Sequence, residues 1–179
     1  MKLSRITGLL AGAGILAAAQ VALASDGTIT FNGEITASTC DIVNSGGPDF
    51  DVDLPTVSTS TLDASGKTAG WTQFDIELAN CTGSLSNVMA YFEAGPNVDT
   101  ARGHLNNTIP VGAGGATEVQ IALRDAHGAG NIVIGSPGNQ TVDVSGGSGV
   151  LSYEAGYFAT GAATAGAVES SVTYSLVYQ

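Results

Sequence analysis

Past its first two dozen residues the chain is a succession of short runs in which apolar and polar positions alternate, separated by clusters of Gly, Ser, Asn, Asp and Pro. Alternation at period two is what a strand with one buried face requires, because successive side chains point to opposite sides of a sheet. Ile35, Ala37 and Thr39 lead into Cys40; Phe50, Val52 and Leu54 alternate with Asp49, Asp51 and Asp53; Phe74, Ile76 and Leu78 alternate with Asp75 and Glu77 before Cys81. Val88, Ala90 and Phe92, then Val119, Ile121 and Leu123, continue the series. Short runs at 132–134 and 142–144 read as a hairpin, and Leu151, Tyr153 and Ala155 mark the run before the last. Many short strands, each apolar on one side only, predict an all-β sandwich or barrel with mainly antiparallel sheets. The Ala-rich stretch 159–167 lacks an apolar stripe and is interrupted by Gly161 and Gly166, so it reads as a loop.

The two outermost runs carry the functional reading. Gly27, Ile29, Phe31 and Gly33 share one face of a predicted strand near the start, and Val172, Tyr174, Leu176 and Tyr178 share one face of a predicted strand that runs to the end. In this reading no later segment pairs with the last strand's free edge. An apolar strand at one end and an apolar edge at the other fit a protein that is completed by a neighbour, through β-strand addition.

The segment before these strands changes what counts as the domain. Lys2 and Arg5, an apolar run over 6–19 and the small-x-small site Ala22-Leu23-Ala24 read as an export leader at 1–24. The apolar run is shorter than the roughly 20 residues a bilayer-spanning helix needs. Cleavage after Ala24 leaves 155 residues, enough for one domain with a core of its own. Two cysteines, Cys40 and Cys81, in an exported chain make a single disulfide the default.

Charge removes one class of partner. The formal net charge of −11 becomes −13 once Lys2 and Arg5 leave, with only Lys67, Arg102 and Arg124 positive. Nucleic acid is therefore not an expected partner, since phosphate binding needs a cationic footprint. Copies of the chain repel each other at long range, so self-assembly has to rest on short-range burial and backbone hydrogen bonds.

Features that resemble chemical sites have plainer explanations. Asp49-x-Asp51-x-Asp53 opens like a calcium loop, but Leu54 stands where the loop's glycine belongs and Ser60 where its bidentate glutamate belongs. Gly112-Ala113-Gly114-Gly115 fits neither glycine fingerprint of a phosphate loop. His104 and His127, the only imidazoles, fall in polar Gly-containing segments and read as exposed loop residues. Trp71, the sole tryptophan, reads as a rim or core aromatic ahead of a sugar platform. The sequence offers no catalytic residue, no metal site and no cofactor.

With these residues in view, the chain resembles the major pilin subunits of the chaperone–usher pathway, close to the type 1 fimbrial family. The resemblance rests on the leader followed by Ile29-Thr30-Phe31-Asn32-Gly33-Glu34, on Phe74-Asp75-Ile76-Glu77-Leu78-Ala79-Asn80-Cys81, and on Tyr157-Phe158-Ala159-Thr160-Gly161-Ala162-Ala163-Thr164 leading to Val177-Tyr178-Gln179. It implies an incomplete immunoglobulin-like β-sandwich lacking its final strand and completed by donor-strand exchange. It also implies a division into a signal peptide at 1–24, a donor-strand extension at 25–33 and a pilin domain at 34–179. In the donor, Ile29 and Phe31 would enter a neighbour's groove, with Gly27 allowing close seating. Val172, Tyr174, Leu176 and Tyr178 would form one wall of the acceptor groove, which also receives a strand of a periplasmic chaperone. The implied partners are identical or related pilin subunits, the chaperone and an outer-membrane usher. The implied route is export to the periplasm and then to a cell-surface fimbrium that supports adhesion. Gly156 differs from relatives, which often carry a basic residue before Tyr-Phe. The alternatives are a minor adaptor or terminator subunit and a free-standing carbohydrate-binding adhesin.

Overall fold

The computed structural model describes residues 27–33, 35, 37–84, 86–128, 130–138 and 140–179. The leader read at 1–24, with Ser25 and Asp26, lies outside the described residues. The chain divides into two units, residues 1–34 and 35–179.

Among the described residues of the second unit, the alternating runs become ten strands. They are β1 (Thr39–Ile42), β2 (Thr68–Thr82), β3 (Asn87–Phe92), β4 (Val98–Asp99), β5 (His104–Asn106), β6 (Val119–Asp125), β7 (Asn131–Ile132), β8 (Val142–Asp143), β9 (Gly149–Ala159) and β10 (Tyr174–Tyr178). One sheet has the order β1-β2-β9-β6-β5-β4, with β7 also paired to β6, and the other has the order β10-β3-β8. Every ladder is antiparallel. The two sheets share one core, to which β2 sends Ile76 and Leu78, β3 sends Val88, Ala90 and Phe92, and β9 sends Leu151 and Tyr153. Tyr153 lies at its centre, with Phe92 edge-on at 5.1 Å and Phe74 at 5.8 Å between ring centroids. The Cys40–Cys81 disulfide ties β1 to the far end of β2.

Four features differ from the sequence reading. Residues 27–33 form no strand, and Ile35 is exposed, so the first ladder starts only at Thr39. A strand is held by backbone partners on a neighbouring edge, and alternation alone cannot supply them. The runs at 132–134 and 142–144 do not form a hairpin: β7 pairs with β6 in one sheet and β8 with β3 in the other. Proximity in sequence lost here to the switch between sheets. Phe50, Val52 and Leu54 are half-buried between exposed neighbours, as the alternation requires, yet residues 49–57 belong to no ladder. His104 is only 7% exposed and sits on β5 with its ring 4.4 Å from that of Phe158, so it is a buried strand residue and not a loop histidine.

A smaller apolar cluster, Leu62 with Ala116, Val119 and Ala159, caps one end of β6 and β9. The loop read at 159–167 contributes Ala163 to it and carries no strand beyond Ala159 apart from a single bridge at Ala167.

Candidate strand-acceptor groove

β10 is an edge strand: its register runs Tyr174 to Phe92, Leu176 to Ala90 and Tyr178 to Val88, all on β3. Along β10, Tyr174, Leu176 and Tyr178 are half-buried while Ser175 and Val177 are exposed, and Val172 continues the half-buried row. Their cross-strand partners are shut away from solvent, with Ala90 and Val88 at 0% and Phe92 at 3% exposure. Cover is therefore lost within a single strand step on the inner face of one sheet. β10 is therefore the less covered margin of that sheet.

Residues from the start of the domain meet this face. Ile42, Phe50 and Leu54 are also half-buried and pack against the same core. Phe50 lies 6.2 Å from Phe74 and 6.5 Å from Tyr174 between ring centroids. Two hydrogen bonds join the sides: the Cys40 amide donates to the Tyr178 hydroxyl at 2.8 Å, and the Tyr174 hydroxyl donates to the Pro48 carbonyl at 2.9 Å. Burial, with the Asp49 carboxylate beside it, raises the Tyr174 hydroxyl above its ordinary pKa, so it stays a neutral donor at physiological pH. The rim is acidic, with Asp41, Asp49, Asp51 and Asp53 exposed along it.

The four residues read as one groove wall, Val172, Tyr174, Leu176 and Tyr178, thus share one half-buried face. The cysteines read as a pair are bonded. Gly27, Ile29 and Phe31 lie in the first unit; Ile29 and Phe31 are 80% and 89% exposed, and a Cβ on Gly27 would meet nothing within 4 Å. The packing of Ile42, Phe50 and Leu54 against the same core escaped the sequence reading, although the alternation of Phe50 and Leu54 with aspartates was its signal.

The other residues singled out by the sequence lie in structural surroundings away from this face. Burial lowers the pKa of His104, while hydrogen bonds from Gln120 and Arg102 hold the Asp99 carboxyl down at about 2. The Trp71 ring lies against Gly156, where a Cβ would come within 2.6 Å of it, and the Arg124 guanidinium sits 4.0 Å from its centroid. Gly156 is therefore required by the tryptophan in this chain. His127 is largely exposed in the turn after β6, where the Gln140 amide contacts its Nδ1 at 2.9 Å.

Comparison with known proteins agrees with this architecture. The family model of type-1 fimbrial protein A (FimA) matches residues 54–179. The major fimbrial subunit SMF-1 of Stenotrophomonas maltophilia is 45% identical over 92% of this chain and 99% of its own length. The F17 fimbrial protein of Escherichia coli is 43% identical over 93% and 96%. Among solved structures, a chaperone–usher pilus subunit superposes with a TM-score of 0.62 at 28% identity, covering 87% of this chain and 96% of that one. The P pilus rod subunit PapA gives 0.61 at 26% identity, over 78% and 99%. The sandwich is thus the incomplete immunoglobulin-like fold of pilin subunits, and these relatives are structural proteins with no known enzymatic activity. Matched along most of its length by sequence and by fold, the chain belongs to the type-1 fimbrial protein family.

Proposed function

We propose that this chain is a structural fimbrial subunit that polymerises by donor-strand exchange. The observation that supports the reading is the sharp loss of cover across the β3–β10 ladder, at an edge strand with no second ladder among the described residues. The donor is the extension at 25–33 of another subunit, with Ile29 and Phe31 as anchors and Gly27 seated closely. Their high exposure supports this assignment, because large apolar side chains in water gain free energy on reaching a groove. Burying the two is worth about 1.5–3 kcal/mol each. Pairing a strand along β10 adds several backbone hydrogen bonds at roughly 0.5–1.5 kcal/mol net apiece. Donor and groove belong to different surfaces, so the contact is heterologous and propagates as a filament.

The leader at 1–24 directs export, and the domain at 34–179 is held in the periplasm by a chaperone strand in the same groove. The usher then passes subunits to a cell-surface fimbrium that supports adhesion. The subunit relatives support association with other pilins and a place on the cell surface. A free-standing sugar-binding role has no support at Trp71, whose ring is taken up by Gly156 and Arg124. The test is Phe31→Arg: the variant is exported and chaperone-bound but cannot donate its strand. Normal fibres on cells making only this variant would contradict the donor assignment.

A further inference from the structure

Asn32 is the only asparagine of the chain that precedes a glycine. The pair matters chemically, because a glycine nitrogen with no side chain beside it can reach the asparagine side-chain carbonyl when the backbone is free to turn. That freedom is present here: Asn32 and Gly33 are exposed, residues 27–33 belong to no ladder, and a Cβ on Gly33 would meet nothing within 4 Å. Asn44, which precedes Ser45, shows what restrains the same reaction elsewhere in the chain. Its side-chain amide is held at both ends, with Nδ2 donating to the Asp75 carbonyl at 2.6 Å and Oδ1 accepting from the Glu77 amide at 3.0 Å. Asn107 is held likewise, its Nδ2 donating to the Ala116 and Ala167 carbonyls at 3.0 and 2.9 Å.

We infer that Asn32-Gly33 is a self-modification site, at which the unassembled subunit deamidates and which strand pairing in the fibre protects. The backbone nitrogen of Gly33 gives its proton to solvent base and bonds to Asn32 Cγ. The Cγ–Nδ2 bond breaks, and Nδ2 takes up a proton and leaves as ammonia. Water then adds to either carbonyl of the resulting cyclic imide, and the Gly33 N–H is restored. Opening at one carbonyl leaves an aspartyl side chain on an ordinary backbone; opening at the other leaves an isoaspartyl link, in which the chain runs through the side-chain carbon. The net change is amide plus water to acid plus ammonia, so no oxidant, reductant or second protein takes part. Either product adds a negative charge to a chain whose formal net charge is already −11. The isoaspartyl product also lengthens the backbone by one methylene next to Phe31, which breaks the period-two alternation across that point. Protection in the fibre rests on the donor-strand reading given above: a paired strand holds the backbone in the ladder, away from the geometry of ring closure. The modification then records the time a subunit has spent unassembled.

The test incubates three samples in mildly alkaline water enriched in heavy oxygen: the soluble mature subunit from the periplasm, the same chain unfolded in urea, and fibres sheared from cells. Peptide mass spectrometry reads heavy oxygen at positions 32 and 44, and an isoaspartyl-specific methyl transfer separates the two products. Position 32 should react in the soluble subunit as fast as in the unfolded chain, while position 44 reacts only after unfolding. Asn32→Gln should abolish the label at position 32 and leave the melting temperature unchanged, because the side chain is exposed. In fibres the reaction at position 32 should be more than about tenfold slower, since it then waits on local opening of the paired strand. If position 32 reacts no faster than position 44 in the soluble subunit, the inference is overturned and the donor-strand reading is untouched. If it reacts in the soluble subunit and equally fast in fibres, the protection is overturned together with the donor-strand reading, while the chemistry at Asn32 stands.

Discussion

Truncating Leu176 tests the proposed acceptor role, which requires a side chain half-covered in the lone subunit to be fully covered once a strand arrives. In the empty subunit Leu176→Ala removes a partly solvated side chain and should cost about 1 kcal/mol, part of the value for full burial. In the filled groove the same change leaves a cavity among packed neighbours and should cost about 2–5 kcal/mol. The difference of about 2 kcal/mol falls on strand binding, roughly thirtyfold in the dissociation constant. Leu151→Ala is the comparison: Leu151 is 0% exposed on β9, so its truncation costs about 2–5 kcal/mol whether or not the groove is filled. The assay is thermal unfolding of the Phe31→Arg monomer with and without saturating peptide of residues 25–33. For a domain of this size about 1 kcal/mol moves the midpoint by 2–4 °C. Leu176→Ala should lower the filled midpoint well beyond the empty one, and Leu151→Ala should lower both alike. Equal shifts for Leu176→Ala in the two states would refute the idea that its face is completed by another strand.

Three more outcomes follow from other parts of the structure. Removing Tyr178 and Gln179 should weaken chaperone capture and lower periplasmic yield, and unchanged levels in a pulse-chase would count against β10 as the captured edge. Burial depresses the folded-state pKa of His104 below 6.5, so the fold favours its neutral form and loses stability as pH falls below that unfolded value. Asp99 contributes stability above 3.8 that disappears as pH falls toward its folded value of about 2. His104→Gln should therefore flatten the melting profile between pH 7 and 5 and leave the loss below pH 4 in place, which a pH series of thermal melts would check. Gly156→Ala places a Cβ 2.6 Å from the Trp71 ring. It should cost about 1–3 kcal/mol by overpacking and red-shift tryptophan emission, and an unchanged spectrum would mean that the ring is not pinned there.

The long central strands were legible because each buries an alternating apolar row. In β2, Ile76 and Leu78 are buried while Glu77 is exposed, and the sequence shows that contrast directly. β9 was legible for a related reason, with Leu151, Tyr153 and Ala155 all buried at alternate positions. The two-residue strands β7 and β8 are too short for periodicity to say which sheet receives them, so they were joined as a hairpin. His104 was misread because Arg102 and Gly103 give it a polar setting, while Phe158, which covers it, comes from a strand more than fifty residues away. Leu62 was missed for the same kind of reason: it stands alone in a Ser/Thr/Asp-rich run and finds Ala116, Val119 and Ala159 only through the fold.

The groove was half legible. Val172, Tyr174, Leu176 and Tyr178 could be read as one apolar edge, but not the hydroxyls crossing from it to Cys40 and Pro48. The alternation of Phe50, Val52 and Leu54 was read as a strand, and the structure keeps the alternation of burial without the ladder. Residues 27–33 show the same discrepancy from the donor side: their pattern is that of a strand, and the ladder that would hold it requires a partner edge. Sequence pattern records which face a segment is built to bury. It does not record whether the partner is on the same chain.

A reconstruction of the assembled fibre tests the central claim most directly. The account predicts density for Ile29 and Phe31 of one subunit between β10 and residues 40–54 of the next, paired along the free edge of β10. A fibre in which β10 is covered by residues of its own subunit, or in which neighbours touch only through other surfaces, would contradict it.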